Sequence, residues 1–182
     1  MLSLKQFQDR LDEGNPLARL YKHTQEGKHF AVISAHRGSD EATPEQNKKR
    51  HEELKKKLTA QGYTHKEVEG HWEGGKEKSI LVHAKGAGKE HGAQLYSDIK
   101  KHGQDYNQDS ILYHNHTGAK LHGTNETGYP GKGKTEPVGQ LKFNKPEAPF
   151  QTEMKPKSDK PLKPGRTSKG SARFTTQSKF GS

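Results

Sequence analysis

The chain has 182 residues, and its hydrophobic fraction of 26% is far below the ~45–50% of globular proteins, so no single core can run its whole length. Lys and Arg number 32 against 22 Asp and Glu, a formal net charge of +10, which speaks to solubility and anionic partners rather than to fold. Cysteine is absent, which excludes disulfides, thiolate catalysis and thiolate-bound zinc.

The opening MLSLKQFQDRLDEG lacks the basic start and apolar run of a secretory signal. It reads instead as a short amphipathic helix capped by Ser3, with Leu4, Phe7 and Leu11 on one face. No run approaches the ~18 apolar residues of a membrane helix. These features predict a cytoplasmic protein, with a place in a virion as the other location considered.

His29 to Ala35 (HFAVISA) is a short apolar run suited to a central strand. After a polar loop comes Thr43-Pro44-Glu45-Gln46, with the N-cap, the N1 proline and the N3 glutamine of a capping box. The helix it opens should run from Pro44 to Gln61 and stop at Gly62, with Asn47, His51, Leu54 and Leu58 inward. Tyr63–Gly70 and Ser79–Ala84 read as a hairpin around Glu73-Gly74-Gly75-Lys76. A second helix is expected over Lys89–His102, a fourth strand over Ser110–His114, and a fifth over Ala119–Gly123. This β-α-β-β-α-β order predicts an α+β fold: a two-layer, ferredoxin-like sandwich with two helices on one face of an antiparallel sheet.

The expected domain plan is an N-terminal helix and connector over 1–28, a compact domain over 29–123, a Gly/Pro-rich extended segment over 124–150 and a disordered basic tail over 151–182. That tail holds eight basic residues (Lys155, Lys157, Lys160, Lys163, Arg166, Lys169, Arg173, Lys179) against Glu153 and Asp159. With Lys48, Lys49, Lys55 and Lys56 on the outer face of the first long helix, they form the candidate nucleic-acid surface, since Lys and Arg neutralise phosphates and release counterions. The bland alternative is a solubilising face and tail.

A ligand or anion site is expected where the first strand runs into the Pro44 helix. A strand end, Gly38 and the free N–H groups of a helix N-terminus converge there. The candidates are His36, Arg37, Ser39, Glu45 and Asn47, with His71 and Glu73 from the hairpin as further members. An ordinary polar loop is the competing reading.

Other motifs fail on spacing. Gly86-Ala87-Gly88-Lys89 lacks the four residues between glycines and the Ser/Thr of a phosphate-binding P-loop. His114-Asn115-His116 is contiguous, whereas the HNH nucleases disperse those residues. His122-Gly123-Thr124 lacks the second His-x-Thr/Ser of a two-histidine phosphoesterase. His71, His83, His114, His116 and His122 fall on or near strands without any metal signature, so no metal and no cofactor is expected. The strands lack the aromatics needed to stack RNA bases on a sheet face.

The residues FAVISAHRG, Ser39, Glu45 and Asn47, then GY, EGHWE and SILV, and later HGTNETGYPGKGK and VGQLKFNKP, resemble a family of small uncharacterised proteins of bacteria and tailed bacteriophages. The resemblance implies a source and carries no activity. The leading expectation is therefore a phage-encoded accessory protein that binds nucleic acid, or an acidic host protein in a nucleic-acid machine. A small enzyme acting on a phosphorylated or nucleotide-like substrate at the His36 loop is the alternative, and an internal virion protein the third. Oligomeric state is left open.

Overall fold

The computed structural model describes residues 23, 26–72, 75–126, 128–139, 141–143, 150–153 and 172–176. The expected N-terminal helix and most of the basic tail lie outside the described residues. Eleven elements are described: β1 (Phe30–Ser34), α1 (Pro44–Ala60), β2 (Thr64–Trp72), β3 (Gly75–His83), α2 (Lys89–Asp105), β4 (Ser110–Asn115), β5 (Gly118–Gly123), β6 (Thr135–Gly139), β7 (Leu141–Phe143), β8 (Phe150–Glu153) and β9 (Ala172–Thr176).

The sheet order is β6-β5-β4-β1-β3-β2-β8-β9-β7, antiparallel at each described pairing. Its centre, β4-β1-β3-β2, is the ferredoxin-like arrangement expected from the element order. β5 and β6 widen it on one side. On the other, β8 and β9 come from the expected tail and pair through their backbones. β9 also meets β6, so the sheet curls until strands from its two flanks touch.

Local chemistry explains the elements. Thr43 caps α1 with the full capping box, its hydroxyl accepting from the Gln46 N–H while Gln46 Oε1 accepts from the Thr43 N–H, and Pro44 opens the helix. The buried residues of α1 are Asn47, His51, Leu54 and Leu58. Those of α2 are Gly92, Leu95, Ile99, His102 and Gly103. Because side chains alternate along a strand, β1 splits its residues between two cores. Ala31 and Ile33 meet Leu54, Leu58, Leu95, Ile99, Ile80, Val82, Ile111 and Tyr113 under the helices. Phe30 and Val32 meet Val68, Leu81, Leu112, Ala119 and Val138 on the opposite face. Among the described residues, no helix is long and apolar enough to cross a membrane.

α2 lies close to β1 because Gly92 leaves room for the His29 ring, which a Cβ there would overlap. The His29 ring also hydrogen-bonds the Tyr113 hydroxyl, which donates to the Gly92 carbonyl at 2.9 Å.

Candidate active site

The loop after β1 is tied down carbonyl by carbonyl. Arg50 Nε donates to Ala35 O at 2.7 Å. Gln108 Nε2 donates to His36 O at 2.8 Å. Asn47 Nδ2 donates to Arg37 O at 2.9 Å, and Asn47 Oδ1 accepts from Arg37 N at 2.8 Å. The Gly38 carbonyl accepts from the N–H groups of Glu41 and Ala42. A loop so fully satisfied is rigid scaffold at its backbone.

The expected site residues separate on this scaffold. Asn47 is buried and spends its amide on the loop. Arg37 points its guanidinium into a salt bridge with Glu41, donates to Asn107 O and lies 3.8 Å from Asp109. Its donors are therefore engaged by protein groups. Glu41, and not Glu45, is its carboxylate partner; Glu45 is exposed in the first turn of α1, and Ser39 is exposed in the loop. His36 is half-buried against His51, with ring centroids 5.6 Å apart. Burial first, then the charges of His51, Lys78 and Arg50, hold its pKa below the usual histidine range. A shallow cleft of about 320 Å³ lies beside this loop, lined by Arg37, Glu41, Gln46, Lys49, Arg50 and Glu53 among others. The side chains of His71 and Glu73 lie outside the described residues.

The carboxyl that sequence reasoning missed is Glu77. It precedes Ser79 and Leu81 on β3 with the same parity, so it lies on the sheet face opposite the helices, two same-face positions beyond Leu81 of the apolar stretch that Leu81 forms with Val32 and Leu112. In register, Ser34 of β1 faces Ser79, which puts Ser34 diagonally beside Glu77, within reach of a glutamate side chain. On its other side Glu77 faces Gly70 of β2, which brings no side chain to crowd it. Burial raises the Glu77 pKa above the usual carboxylate range. A hydrogen bond from Ser34 opposes that shift, the charge of Asp109 adds to it, and Arg37 opposes it. A carboxyl with raised proton affinity at the end of a strand, with a cation and a second acid nearby, is the arrangement expected of a working group. Period-two alternation of GKEKSILVH was the signal that would have found it.

A second cluster lies under α1. His51 Nε2 lies 3.1 Å from Glu67, and Lys55 Nζ bridges Glu67 at 3.0 Å and Glu52 at 3.1 Å. His51, Glu52 and Glu67 bring ligand-type atoms within 4.8 Å of one another, but the Lys55 ammonium already bridges both carboxylates. The hydrogen bond from Lys55 is also the main reason the Glu67 pKa lies below its ordinary value. Of the histidines weighed for a metal, His114 stacks on Phe30 at 4.5 Å and His122 packs on Tyr96 at 4.8 Å.

The expected nucleic-acid surface is not a uniform cationic stripe. Lys48, Lys49 and Lys56 are exposed, but they share α1 with the exposed Glu52 and Glu53, and Lys55 is taken up by its two carboxylates. Of the tail cations, only Arg173 falls in a described strand.

No curated protein matches the chain. A family model does: that of the S-adenosylmethionine lyase family matches residues 31–160, a span that runs from the second residue of β1 through β8 and holds every residue of the Glu77 site. This finding overturns the expectation of a nucleic-acid-binding accessory protein and favours the enzyme alternative. The basic charge that prompted the first expectation is a property of the surface and not of the reaction. With well over half its length matched, the chain belongs to the S-adenosylmethionine lyase family.

Proposed function

We propose that the protein cleaves S-adenosylmethionine as a lyase, with Glu77 as the carboxyl that meets the substrate's positive charge. The observation that carries this reading is the family match across residues 31–160, joined to a carboxyl at the end of β3 that burial has made expensive to ionise. A sulfonium has no N–H or O–H to donate, so a protein recognises it by charge or by an aromatic face. A desolvated carboxylate gains most from such a cation, because the cation repays the cost of its ionisation.

Lyase chemistry breaks the bond from sulfur to Cγ of the methionine chain without adding water. The bonding pair returns to sulfur, and the adenosine-bearing product is a neutral thioether. The four-carbon fragment closes in one of two ways. Its own carboxylate displaces sulfur at Cγ to give a lactone, with no proton moved, or a Cβ proton passes to a base and leaves an alkene. Glu77 supplies the counter-charge in the first route and has the raised proton affinity of a base in the second.

The test is to incubate the full chain with S-adenosylmethionine deuterated at Cβ and identify both products by chromatography and mass spectrometry. The expected products are methylthioadenosine and a four-carbon fragment free of solvent oxygen at early times. Retained or lost deuterium separates the two routes. Recovery of S-adenosylhomocysteine, or of unchanged substrate, would remove the reading.

A further inference from the structure

We propose that Ser79 holds the carboxylate at the amino-acid end of the substrate, through a hydroxyl that the fold itself leaves unused. The proposal rests on the lyase reading and names a second substrate contact of the same site.

Glu77 and Ser79 stand on the sheet face opposite the helices, one same-face step apart on β3. Ser79 lies between its register partners, Ser34 of β1 and Val68 of β2, with Leu81 the next residue on that face. It is only 7% exposed. Among the described residues, no group hydrogen-bonds its hydroxyl. Ser34 beside it is the contrast. Its hydroxyl donates to Lys78 O at 3.0 Å and accepts from the His36 N–H at 3.0 Å, so the fold uses it. A nearly buried hydroxyl without a partner destabilises a fold, and an alanine in its place would not. The Ser79 hydroxyl is therefore free for a ligand.

The row beside it has room for one. Glu77 faces Gly70 of β2, and Gly70 faces Thr152 of β8, so a position where a side chain would stand is empty. A glycine in a strand lets a ligand approach the backbone closely. A ligand lying there meets Glu77 at one point and Ser79 at another, about 7 Å further along the strand.

The substrate carries groups that match. For its carboxylate to displace sulfur, the attacking oxygen stands about 3 Å behind Cγ in line with the C–S bond, and so roughly 5 Å from the sulfur. Glu77 beside the sulfonium and Ser79 on the second carboxylate oxygen bracket that separation. The attacking oxygen forms the C–O bond, the C–S pair goes to sulfur and no proton moves, so the Ser79 hydrogen only orients. A neutral donor suits this place. A lysine or arginine there would pair with Glu77 and cancel the charge that meets the sulfonium.

The experiment uses the full chain. Ser79→Ala should lower kcat/KM for S-adenosylmethionine by on the order of tenfold, the loss of one hydrogen bond to a charged group, with a melting temperature no lower than wild type. Ser79→Thr, which keeps the hydroxyl, should stay near wild type. Decarboxylated S-adenosylmethionine gives Ser79 nothing to hold, so it should inhibit wild type and Ser79→Ala with the same constant. An unmoved kcat/KM, a lowered melting temperature in Ser79→Ala, or equal weakening of the decarboxylated analogue would overturn the proposal. If wild-type protein fails to turn over S-adenosylmethionine, the lyase reading fails. Equilibrium dialysis of the two ligands against wild type and Ser79→Ala then still decides whether Ser79 holds the carboxylate, and equal affinities in the two proteins would overturn it.

Discussion

Asn47 grips Arg37 by both of its backbone polar groups, accepting from its N–H at 2.8 Å and donating to its carbonyl at 2.9 Å. The Asn47 side chain therefore acts as a mortar joint between the first turns of α1 and the loop that leaves β1. Removing it strands two loop groups together. Asn47→Ala should destabilise the fold by roughly 1–3 kcal/mol, read as a lower urea midpoint at unchanged slope. Asn47→Asp, which keeps the acceptor and loses the donor, should fall between.

The capping box makes a smaller and cleaner prediction. Thr43→Ala removes the acceptor for the Gln46 N–H, a bond of 3.2 Å, and should cost about 1 kcal/mol. A melting curve for the variant decides it, because Thr43 is exposed and its loss leaves no cavity.

Gly92 and His29 should be coupled. A methyl at position 92 meets the His29 ring, so Gly92→Ala should cost roughly 1–3 kcal/mol from overpacking. Much of that should return in the Gly92→Ala, His29→Ala double variant, after subtraction of the His29→Ala cost. Strictly additive effects would mean that the two residues do not touch.

Buried histidines make the fold acid-sensitive. His114 has its pKa pushed down to about 4, first by burial and then by the charge of His29. His29, His36, His102 and His122 are lowered in the same direction, each chiefly by burial. Below the ordinary histidine value of 6.5 the unfolded chain takes up protons that the folded protein refuses, so unfolding is favoured as pH falls. For His114 the window runs from 6.5 down to about 4, and its full contribution is on the order of 3 kcal/mol. Urea midpoints measured from pH 7.5 to 4.5 should fall steadily, and His114→Gln should flatten part of that slope.

How much was legible depended on whether the signal was local. Thr43-Pro44-Glu45-Gln46 carries its own cap, and the apolar spacing of Leu54 and Leu58 settles which face of α1 is inward, so α1 and the ferredoxin-like centre could be read directly. Arg37 could be read as important but not as occupied. Glu41 is a local partner four residues on, but Asn107 and Asp109 reach it only when the turn after α2 comes beside the loop after β1, a long-range fact of the sheet order. Glu77 was hidden by its neighbours. Glu73-Gly74-Gly75-Lys76 just before it reads as a turn, which starts the expected strand only at Ser79, while the fold draws β3 back to Gly75 and turns the carboxyl onto the sheet. The pairing of β2 with β8 was hidden by composition, since a Lys- and Pro-rich stretch gives little strand signal. Charge misled most: a net +10 says what the surface is and nothing about which bond the site breaks.

The central claim is that Glu77 is the carboxyl on which S-adenosylmethionine cleavage depends. The direct measurement compares wild type with Glu77→Gln for methylthioadenosine release and for melting temperature at pH 7.5. Glu77 has a raised folded pKa, so the stability it contributes belongs to low pH and is lost as pH rises through that folded value. Replacing it by a neutral isostere should therefore leave the melting temperature at or above wild type. The account predicts that loss of product release by about 100-fold or more accompanies that intact stability. Wild-type rates in a well-folded Glu77→Gln variant would contradict it.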